Sequence, residues 1–288
     1  MHTWQRIASL LPLVLTQGIL AQSPLVVFQN GQVADANAVN DNFKQLQLQT
    51  IRMQRPAFRS VGARTIGIPA SPARPGSVAI GETPLYFTQQ IVVDLDTTGL
   101  GGLDIGTVQP RTLYYTYVGF GASGPPSVSA TVSLNPPTQG PASLGTQWTY
   151  LGSFATDNAA NLAPFTFSKG RYLNAATSGN ISAVTSASIV SIPLPVPAHA
   201  TEVYARFALI GTGGAPPYTF SVGATSSVAE DIIRFESSTS LAFGGSLAAE
   251  YVSLPLVEGP LLYVRVSSPV LTGFVEPRGW TEDPTLFK

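Results

Sequence analysis

The sequence contains no cysteine and little charge, and these two absences narrow the function classes open to it. Without cysteine, the 288-residue chain has no disulfides, no thiolate nucleophile and no cysteine-based zinc site. Asp, Glu, Lys and Arg make up only 11% of the residues, well below the usual share, and the net charge is −1. We therefore expect no nucleic-acid partner, because neutralising phosphates requires a concentrated excess of Lys and Arg.

Histidine is also scarce, which limits general base catalysis. The chain has two histidines, and His199 lies in a proline-rich connection where a surface or packing role is more common than a catalytic one. The sequence contains no G-x-S-x-G elbow, no phosphate loop and no dinucleotide fingerprint. We therefore predict a non-enzymatic protein with no catalytic residues and no cofactor.

The N-terminal residues Met1–Ala21 predict a secretory signal peptide. Arg6 supplies the positive start, residues 7–15 are mostly apolar, and Ile19-Leu20-Ala21 is a plausible cleavage site. The apolar stretch is too short to span a bilayer, so we expect cleavage and no transmembrane segment. The mature protein is expected outside the cell or at the cell surface. A buried N-terminal helix is the alternative interpretation.

Residues 22–56 predict a helical oligomerisation segment. Asp35 can cap a helix by accepting a backbone N–H, and Pro56 stops it. Between them runs a seam with heptad spacing, called here the heptad seam: Ala36, Val39, Phe43, Leu46, Thr50 and Met53. The seam is too short for a stable isolated coiled coil, so we expect self-association, as a homotrimer, with help from an attached domain. The alternative is a single amphipathic helix that packs on its own β-domain.

Residues 57–84 predict a basic neck that contains proline and glycine. Proline and glycine concentrate between Pro69 and Gly76, and no hydrophobic periodicity is visible. No acidic residue falls within the surrounding basic run, which consists of Lys44, Arg52, Arg55, Arg59, Arg64 and Arg74. The neck is either simply solvated or attaches to an anionic envelope or partner.

Residues 85–288 predict an all-β head, an antiparallel β-sandwich or jelly roll. Short runs rich in β-branched and aromatic residues alternate with turns rich in the chain's 27 glycines and 24 prolines. The proline-rich stretch 191–198 either divides two subdomains or crosses between sheets. The predicted strands are Gln90–Leu95, Thr112–Phe120, Ser127–Leu134, Gln147–Phe154, Ile189–Leu194, Glu202–Ile210, Tyr218–Val222, Glu250–Leu256 and Leu261–Ser267.

Several of these strands and turns resemble a known pattern. Within residues 91–118 the chain reads V-D-L-D-T-T-G, then G-G-L-D-I-G, then L-Y-Y-T-Y-V. W-T-Y-L-G-S-F-A-T-D-N follows from Trp148, P-A-H-A-T-E-V from Pro197 and L-L-Y-V-R-V-S-S from Leu261. Over residues 85–285 this succession resembles β-rich domains of bacteriophage tail and receptor-binding proteins and of related bacterial surface proteins. The resemblance implies docking at a cell envelope.

A second resemblance lies at the N-terminal end. The string G-x-V-A-D-A-x-x-V-N-x-N-F, from Gly31 to Phe43, resembles a short element that follows the signal peptide in secreted bacterial fibre or stalk proteins. Virion proteins are assembled in the cytoplasm, so the signal peptide favours a bacterial surface or extracellular component.

Acidic and aromatic side chains provide two candidate ligand sites. We predict no metal site, but Asp94, Asp96 and Asp104 flank the glycine-rich turn and are the candidate residues for a calcium cluster of carboxylate oxygens. The alternative is turn chemistry, in which Asp96 and Asp104 accept backbone N–H bonds.

The second candidate is an aromatic platform that stacks on sugar rings. The alternative for its members is burial in the core or at a subunit interface. Its members are Trp148, Tyr150, Tyr172 and Trp280.

Together these features favour a secreted structural or attachment protein that resembles a tail fibre. Several identical heads would add weak contacts to an envelope or glycan through effective concentration. One alternative is a carbohydrate-active enzyme, which requires two carboxylates roughly 5 to 10 Å apart across a groove. The other is a calcium-dependent glycan-binding module.

Overall fold

The computed structural model describes Val27 and residues 35–53, 55–121, 127–174, 182–211, 218–226, 233–237, 246–268 and 270–283. These residues are mostly β. The signal peptide predicted for residues 1–21 lies outside them.

The elements in chain order are α1 Ala36–Met53, β1 Phe58–Ser60, β2 Thr65–Ile68, β3 Gly76–Ile80, β4 Thr83–Phe87, β5 Ile91–Asp94, β6 Leu113–Phe120, β7 Val128–Ser133, the 3-10 turn Ala142–Leu144, β8 Trp148–Ala155, β9 Phe165–Ser168, β10 Arg171–Asn174, β11 Ser182–Val184, β12 Val190–Pro193, β13 Ala200–Gly211, β14 Tyr218–Gly223, β15 Ile233–Ser237, β16 Ser246–Pro255, β17 Leu261–Val266 and β18 Leu271–Glu282.

Helix α1 begins and ends where the sequence predicts. Oδ1 of Asp35 accepts a hydrogen bond from the backbone N–H of Asn37 at 2.9 Å, which caps the first turn. The helix ends at Met53, shortly before Pro56. In the part of the chain that the structure describes, no helix is both long and apolar enough to cross a membrane.

The largest sheet in the described part of the chain has nine strands, all antiparallel to their neighbours. Eight follow the order β16-β13-β18-β10-β9-β1-β2-β5, and β11 pairs with the edge of β18 that also carries β10. Neighbours in this sheet are often distant in the sequence, since Phe58 of β1 pairs with Phe167 of β9. The sheet therefore forms only when remote parts of the chain meet.

Strand β18 is central to this sheet although its sequence argues against a central strand. It contains a proline, and proline lacks the N–H that a ladder needs. An extra residue, Arg278, lies between the registered pairs Tyr204–Gly279 and Ala205–Pro277, and this β-bulge interrupts the ladder beside the proline. On the opposite edge, β10 pairs with β18 beyond the proline and β11 pairs before it. Pro277 therefore lies between the two pairings.

Three smaller antiparallel sheets complete the described β-structure: β7-β6-β8, β12-β17-β14-β15 and the hairpin β3-β4. Their buried side chains share one hydrophobic core with the large sheet, within a compact unit of residues 46–288. The rings of Phe154 on β8 and Phe165 on β9 stack with 5.4 Å between centroids. Leu194 and Val196 are buried in the same core, which therefore continues across the proline-rich stretch 191–198.

Residues 57–84, predicted to be a basic neck or linker, are folded into the β-structure. They contain β1, β2, β3 and the beginning of β4. Phe58, Ile66 and Ile68 have no exposed surface and lie in the main core. The density of proline and glycine between Pro69 and Gly76 marks a tight turn before β3 and not a linker.

All nine strands predicted from the sequence are confirmed, with ends that agree within a few residues. The strands that the sequence did not predict are β1 to β4, β9 to β11, β15 and β18. Except for β18, these strands have only three to five residues. Alternation cannot be recognised over so few positions, so their pairing partners and not their own pattern make them strands.

The close passage of β18 past β10 provides a test of this architecture. A Cβ placed on Gly279 would lie 2.3 Å from the backbone carbonyl oxygen of Tyr172, which can move only if the two strands separate. We expect Gly279→Ala to lower the free energy of unfolding by about 2–3 kcal/mol, measured by urea denaturation. The matched control is Gly62→Ala, where the nearest atom is 3.4 Å away and a change below about 1 kcal/mol is expected. Equal losses in both variants would contradict this packing.

Candidate functional site

The three aspartates that are candidate calcium ligands do not form a cluster. Oδ1 of Asp94 accepts a hydrogen bond from the backbone N–H of Asp96 at 3.0 Å. The carboxylate of Asp96 lies 3.7 Å from the guanidinium of Arg64, and Asp104 is buried. No group of three or more His, Cys, Asp or Glu residues that could hold a metal ion occurs among the described residues. The structure therefore does not support these candidates as a calcium cluster, because each carboxylate is engaged with other groups of the protein.

Asp104 instead connects the glycine-rich turn to two other segments. Oδ2 accepts hydrogen bonds from the backbone N–H of Ala142 at 2.9 Å and from the hydroxyl of Ser133 at 3.1 Å. Oδ1 accepts the backbone N–H of Ser143 at 2.7 Å. Burial alone raises the pKa of Asp104, but the N–H groups of Ser143 and Ala142 and the two serine hydroxyls outweigh burial and hold that pKa below its ordinary value. Asp104 is therefore ionised, and its role is to hold these segments together. Asp104 accepts backbone N–H groups, as the alternative interpretation expects, but they come from the 3-10 turn Ala142–Leu144 and not from its own turn. In the glycine-rich turn it is Asp94, and not Asp96, that accepts a backbone N–H.

Three of the four aromatic residues predicted to stack on sugars are buried. The exposed fractions are 1% for Tyr150, 2% for Tyr172 and 3% for Trp280. The rings of Tyr172 and Trp280 stack on each other at 4.0 Å between centroids. Trp148 is partly buried and packs edge-on against Tyr117 at 5.1 Å. Rings covered by their own chain cannot stack on a ligand, so the alternative of a core position applies to the three buried residues.

The same aromatic residues surround a buried carboxylate, Glu282, at the end of β18. Oε1 of Glu282 accepts hydrogen bonds from the backbone N–H of Ser153 at 2.9 Å and from Nε1 of Trp280 at 3.1 Å, and the hydroxyl of Ser153 also donates to it. Oε2 accepts the hydroxyl of Tyr150 at 2.6 Å and lies 3.3 Å from Nε2 of His199. A buried carboxylate requires such donors, because it has lost its water.

Charge and burial reinforce this network. Burial, followed by the nearby charge of Glu282, raises the pKa of the Tyr150 phenol well above its ordinary value. Tyr150 therefore stays protonated and continues to donate. Burial lowers the pKa of Arg55 to about 10, while the charge of Glu282 acts in the opposite direction. Arg55 is therefore still charged at neutral pH and offsets the negative charge of Glu282.

The network contains a serine, a histidine and a carboxylate, but their contacts are not those of a hydrolase. A serine nucleophile donates its hydroxyl proton to a histidine. Here the hydroxyl of Ser153 donates to Glu282, and its oxygen accepts a hydrogen bond from Nε1 of Trp280 at 3.0 Å. Ser153 has no exposed surface. The network therefore connects β8 to β18 and does not position a nucleophile.

Sequence reasoning did not identify this network. It left Glu282 without a role and placed His199 in a connection, where its ring in fact packs edge-on against Tyr150 at 5.9 Å. Ser153 and Glu282 are 129 residues apart in the chain. The one available signal was the motif W-T-E at the end of β18, in which alternation puts Trp280 and Glu282 on the same face.

One face of the second half of α1 packs on the hairpin β3-β4. Leu48 and Ile51 are buried together with Ala79. Nε2 of Gln47 donates a hydrogen bond to the hydroxyl of Tyr86 at 2.6 Å. This face of the helix therefore packs on the β-structure of its own chain, as the alternative interpretation of the sequence expects.

The heptad seam lies on a different face of the same helix. Phe43 is 67% exposed and Leu46 is 44% exposed, while Val39 is partly buried and Met53 ends the helix. The seam residues Phe43 and Leu46 are thus available to another molecule.

The outer face of the large sheet carries aromatic and basic side chains, called here the tyrosine–arginine face. The rings of Tyr204 and Tyr251 stack at 5.9 Å between centroids. The guanidinium of Arg171 lies 5.5 Å from the centre of the Tyr204 ring, and that of Arg278 lies 6.0 Å from the centre of the Tyr251 ring. The face consists of Arg171, Tyr204, Arg206, Tyr251, Glu276 and Arg278. Sequence reasoning missed it because β10 and β18, which supply three of these residues, were not predicted.

Comparison with protein-family models, with curated proteins and with solved structures found no match to this chain.

The buried carboxylate of Asp104 provides a test of its structural role. We expect Asp104→Asn to lower the free energy of unfolding at neutral pH by about 2 kcal/mol, because an amide NH₂ would face N–H and O–H donors. Asp96→Asn is the matched control, since Asp96 is 66% exposed and its ion pair is worth at most about 1 kcal/mol. The free energy of unfolding of both variants is measured by chemical denaturation, with and without a calcium chelator.

The pH dependence of the Asp104 contribution has a defined sign. Because the folded-state pKa lies below the ordinary value of 3.8, the contribution is present above that pH and is lost as the pH falls through the folded pKa. The difference between the parent chain and Asp104→Asn should therefore shrink below pH 3.8. A difference that grows in acid would contradict the assignment.

The network around Glu282 provides a second test. We expect Glu282→Gln to lower the free energy of unfolding by about 3 kcal/mol, because an amide NH₂ would face donors and Arg55 would lose a compensating charge. Glu202→Gln carries the same change at an exposed carboxylate on β13, where an effect below about 0.5 kcal/mol is expected. Similar urea midpoints for the two variants would show that Glu282 is not essential to the packing.

Proposed function

We propose that this chain is a secreted, non-enzymatic structural or attachment protein that resembles a tail fibre. In this proposal the helix α1 associates with copies of itself, in a homotrimer, through the heptad seam. The β-structure forms a sandwich or jelly-roll head, which docks on a cell envelope or glycan. The exposure of Phe43 and Leu46 is the observation that carries the proposal.

The orientation of α1 makes this exposure informative. Leu48 and Ile51 pack on the β3-β4 hairpin, and the guanidinium of Arg52 donates to the carbonyl oxygen of Gly81 at 2.8 Å. These contacts set the rotation of the second half of the helix, from Leu46 onward, so Leu46 cannot turn toward the hairpin without losing them. Leaving large apolar side chains in water is unfavourable, and heptad spacing is the pattern by which helices cover such side chains in one another.

The short length of the seam is compatible with this assembly. About two and a half heptads do not hold an isolated coiled coil together. Residues from Leu46 onward belong to the same compact unit as the β-structure, so contacts between heads can add to contacts between helices. Display of several heads then strengthens weak attachment through effective concentration.

The buried carboxylates favour a structural role over catalysis. A glycosidase requires two carboxylates that face each other across a groove. Asp104 and Glu282 instead accept several protein hydrogen bonds each, and Glu276 lies against two arginines. These three carboxylates therefore support a protein that acts through its shape and copy number.

Light scattering on the secreted chain tests the association. We expect the parent chain to have a mass several times that of one chain, and Phe43→Gln combined with Leu46→Gln to reduce it to the mass of a single chain. The reason is that the seam would lose the apolar area that drives association. Circular dichroism should show that the β-structure of the double variant is retained.

The matched control replaces exposed polar residues on the same helix. Asp41→Asn combined with Lys44→Gln changes two side chains outside the seam, and we expect it to keep the parent mass. A parent chain that is monomeric at micromolar concentration, or equal dissociation of both double variants, would contradict association through the seam.

A further inference from the structure

We propose that the tyrosine–arginine face binds an acidic polysaccharide, with arginines taking the carboxylates and Tyr251 stacking on a sugar ring. This inference rests on the attachment function proposed above and names the ligand class of that attachment.

The register of the large sheet places the relevant side chains in one row. Tyr251 on β16 pairs with Arg206 on β13, and Arg206 pairs with Glu276 on β18. Directly paired residues project from the same face of an antiparallel sheet. Val203 and Phe207, which alternate with Tyr204 and Arg206, are fully buried on the other face. The row therefore belongs to the face that is turned away from the core.

A second row continues the face across the sheet. Arg59 pairs with Thr166, Thr166 with Leu173, and Leu173 with Gly279. Gly279 pairs with Tyr204, which completes a line from β1 to β13. At about 4.8 Å per strand, the steps from β1 to β16 cover about 24 Å. A face of this length suits an extended polymer better than a small molecule.

The arginines on this face are held in place before any ligand arrives. Glu276, only 2% exposed, lies 3.5 Å from the guanidinium of Arg206 and 3.3 Å from that of Arg278. Arg171 and Arg278 also lie over tyrosine rings. A guanidinium held in this way loses less freedom on binding, and its planar geometry matches a carboxylate.

Two buried polar atoms on this face lack a protein partner. Among the described residues, Oε1 of Glu276 and Nε of Arg278 make no hydrogen bond. A buried polar atom without a partner is costly, so an added hydroxyl is favoured at both atoms once a small movement of the Arg278 side chain opens them to the face. A hydroxyl group can donate to the carboxylate oxygen and accept from the guanidinium, and sugars carry many hydroxyls.

Charge and exposure indicate which class of ligand this face binds. The tyrosine–arginine face carries Arg171, Arg206 and Arg278 against one glutamate, Glu276, and its continuation adds Arg59 and Glu202. The face is therefore basic, although the whole chain carries −1. This modest excess fits the spaced carboxylates of a uronate polymer better than the dense phosphates of nucleic acid. A two-fold contact between copies would bring arginines against arginines, which is unfavourable. Tyr251 is 52% exposed and offers an aromatic surface to a sugar.

Titration of the full secreted chain with polygalacturonate tests the proposal. We expect binding that weakens as salt is raised, and binding to the fully methyl-esterified polymer reduced at least about tenfold, because esterification removes the carboxylates. Arg171→Gln and Tyr251→Ser should each weaken binding by about tenfold. Both side chains are exposed, so unfolding midpoints equal to that of the parent will exclude misfolding.

The matched control is Arg74→Gln, which removes an exposed arginine from a turn outside the face and should leave binding unchanged. Absence of polygalacturonate binding, equal binding of the ester, or equal loss in the Arg74 variant would overturn the proposal. Tighter binding of double-stranded DNA would overturn it in favour of a phosphate polymer. A reduced oligomer mass for Tyr251→Ser without polymer binding would assign the face to contacts between copies.

Polymer binding, expressed per chain, and oligomer mass are measured separately, so failure of this inference can be distinguished from failure of association through the heptad seam. A monomeric chain that binds polygalacturonate through Arg171 and Tyr251 would contradict the seam and support this face. An oligomer that binds neither polymer would contradict this face alone.

Discussion

Burial of one carboxylate, that of Glu282, connects the main parts of the β-structure. It lies at the end of β18 in the large sheet and accepts hydrogen bonds from Tyr150 and Ser153 on β8 of the three-stranded sheet. Its charge is offset by Arg55, which follows helix α1. Removing any donor would leave a buried charge partly unpaired, at a cost of several kcal/mol. The two sheets and the segment after the helix must therefore be placed together, and this requirement specifies how they meet.

The position of α1 follows from the same arrangement. The segment around Arg55 leads directly from the helix into β1, and the second half of the helix is held on the β3-β4 hairpin by Leu48 and Ile51. The two apolar faces of the helix thereby acquire different roles. One face contributes to the fold, whereas Phe43 and Leu46 remain exposed, and association of the copies would cover them.

The two faces of the large sheet are divided by the alternation of side chains along each strand. On β13 the inward residues include Val203 and Phe207, which fill the core, while Tyr204 and Arg206 point outward. The bulge at Arg278 interrupts this alternation on β18 next to Pro277. It also allows Arg278 to reach the ring of Tyr251 on β16, two strands away. The irregularity that accommodates the proline therefore also contributes to the tyrosine–arginine face.

The sequence by itself determined the features that depend on neighbouring residues: the β class, nine of the strands, the cap at Asp35 and the absence of cysteine chemistry. Alternation, turn residues and capping act over a few positions, so they can be recognised in one chain. The tertiary structure decided the rest. It incorporated the expected neck into the sheets, buried three of the four aromatic residues considered as sugar-binding candidates, and engaged the three candidate calcium ligands with other groups of the protein. It also brought Glu282 to Ser153 across 129 residues of chain. Strands of three to five residues and contacts between distant strands depend on which partners meet, and burial depends on the layer that covers a residue, so no local pattern encodes them.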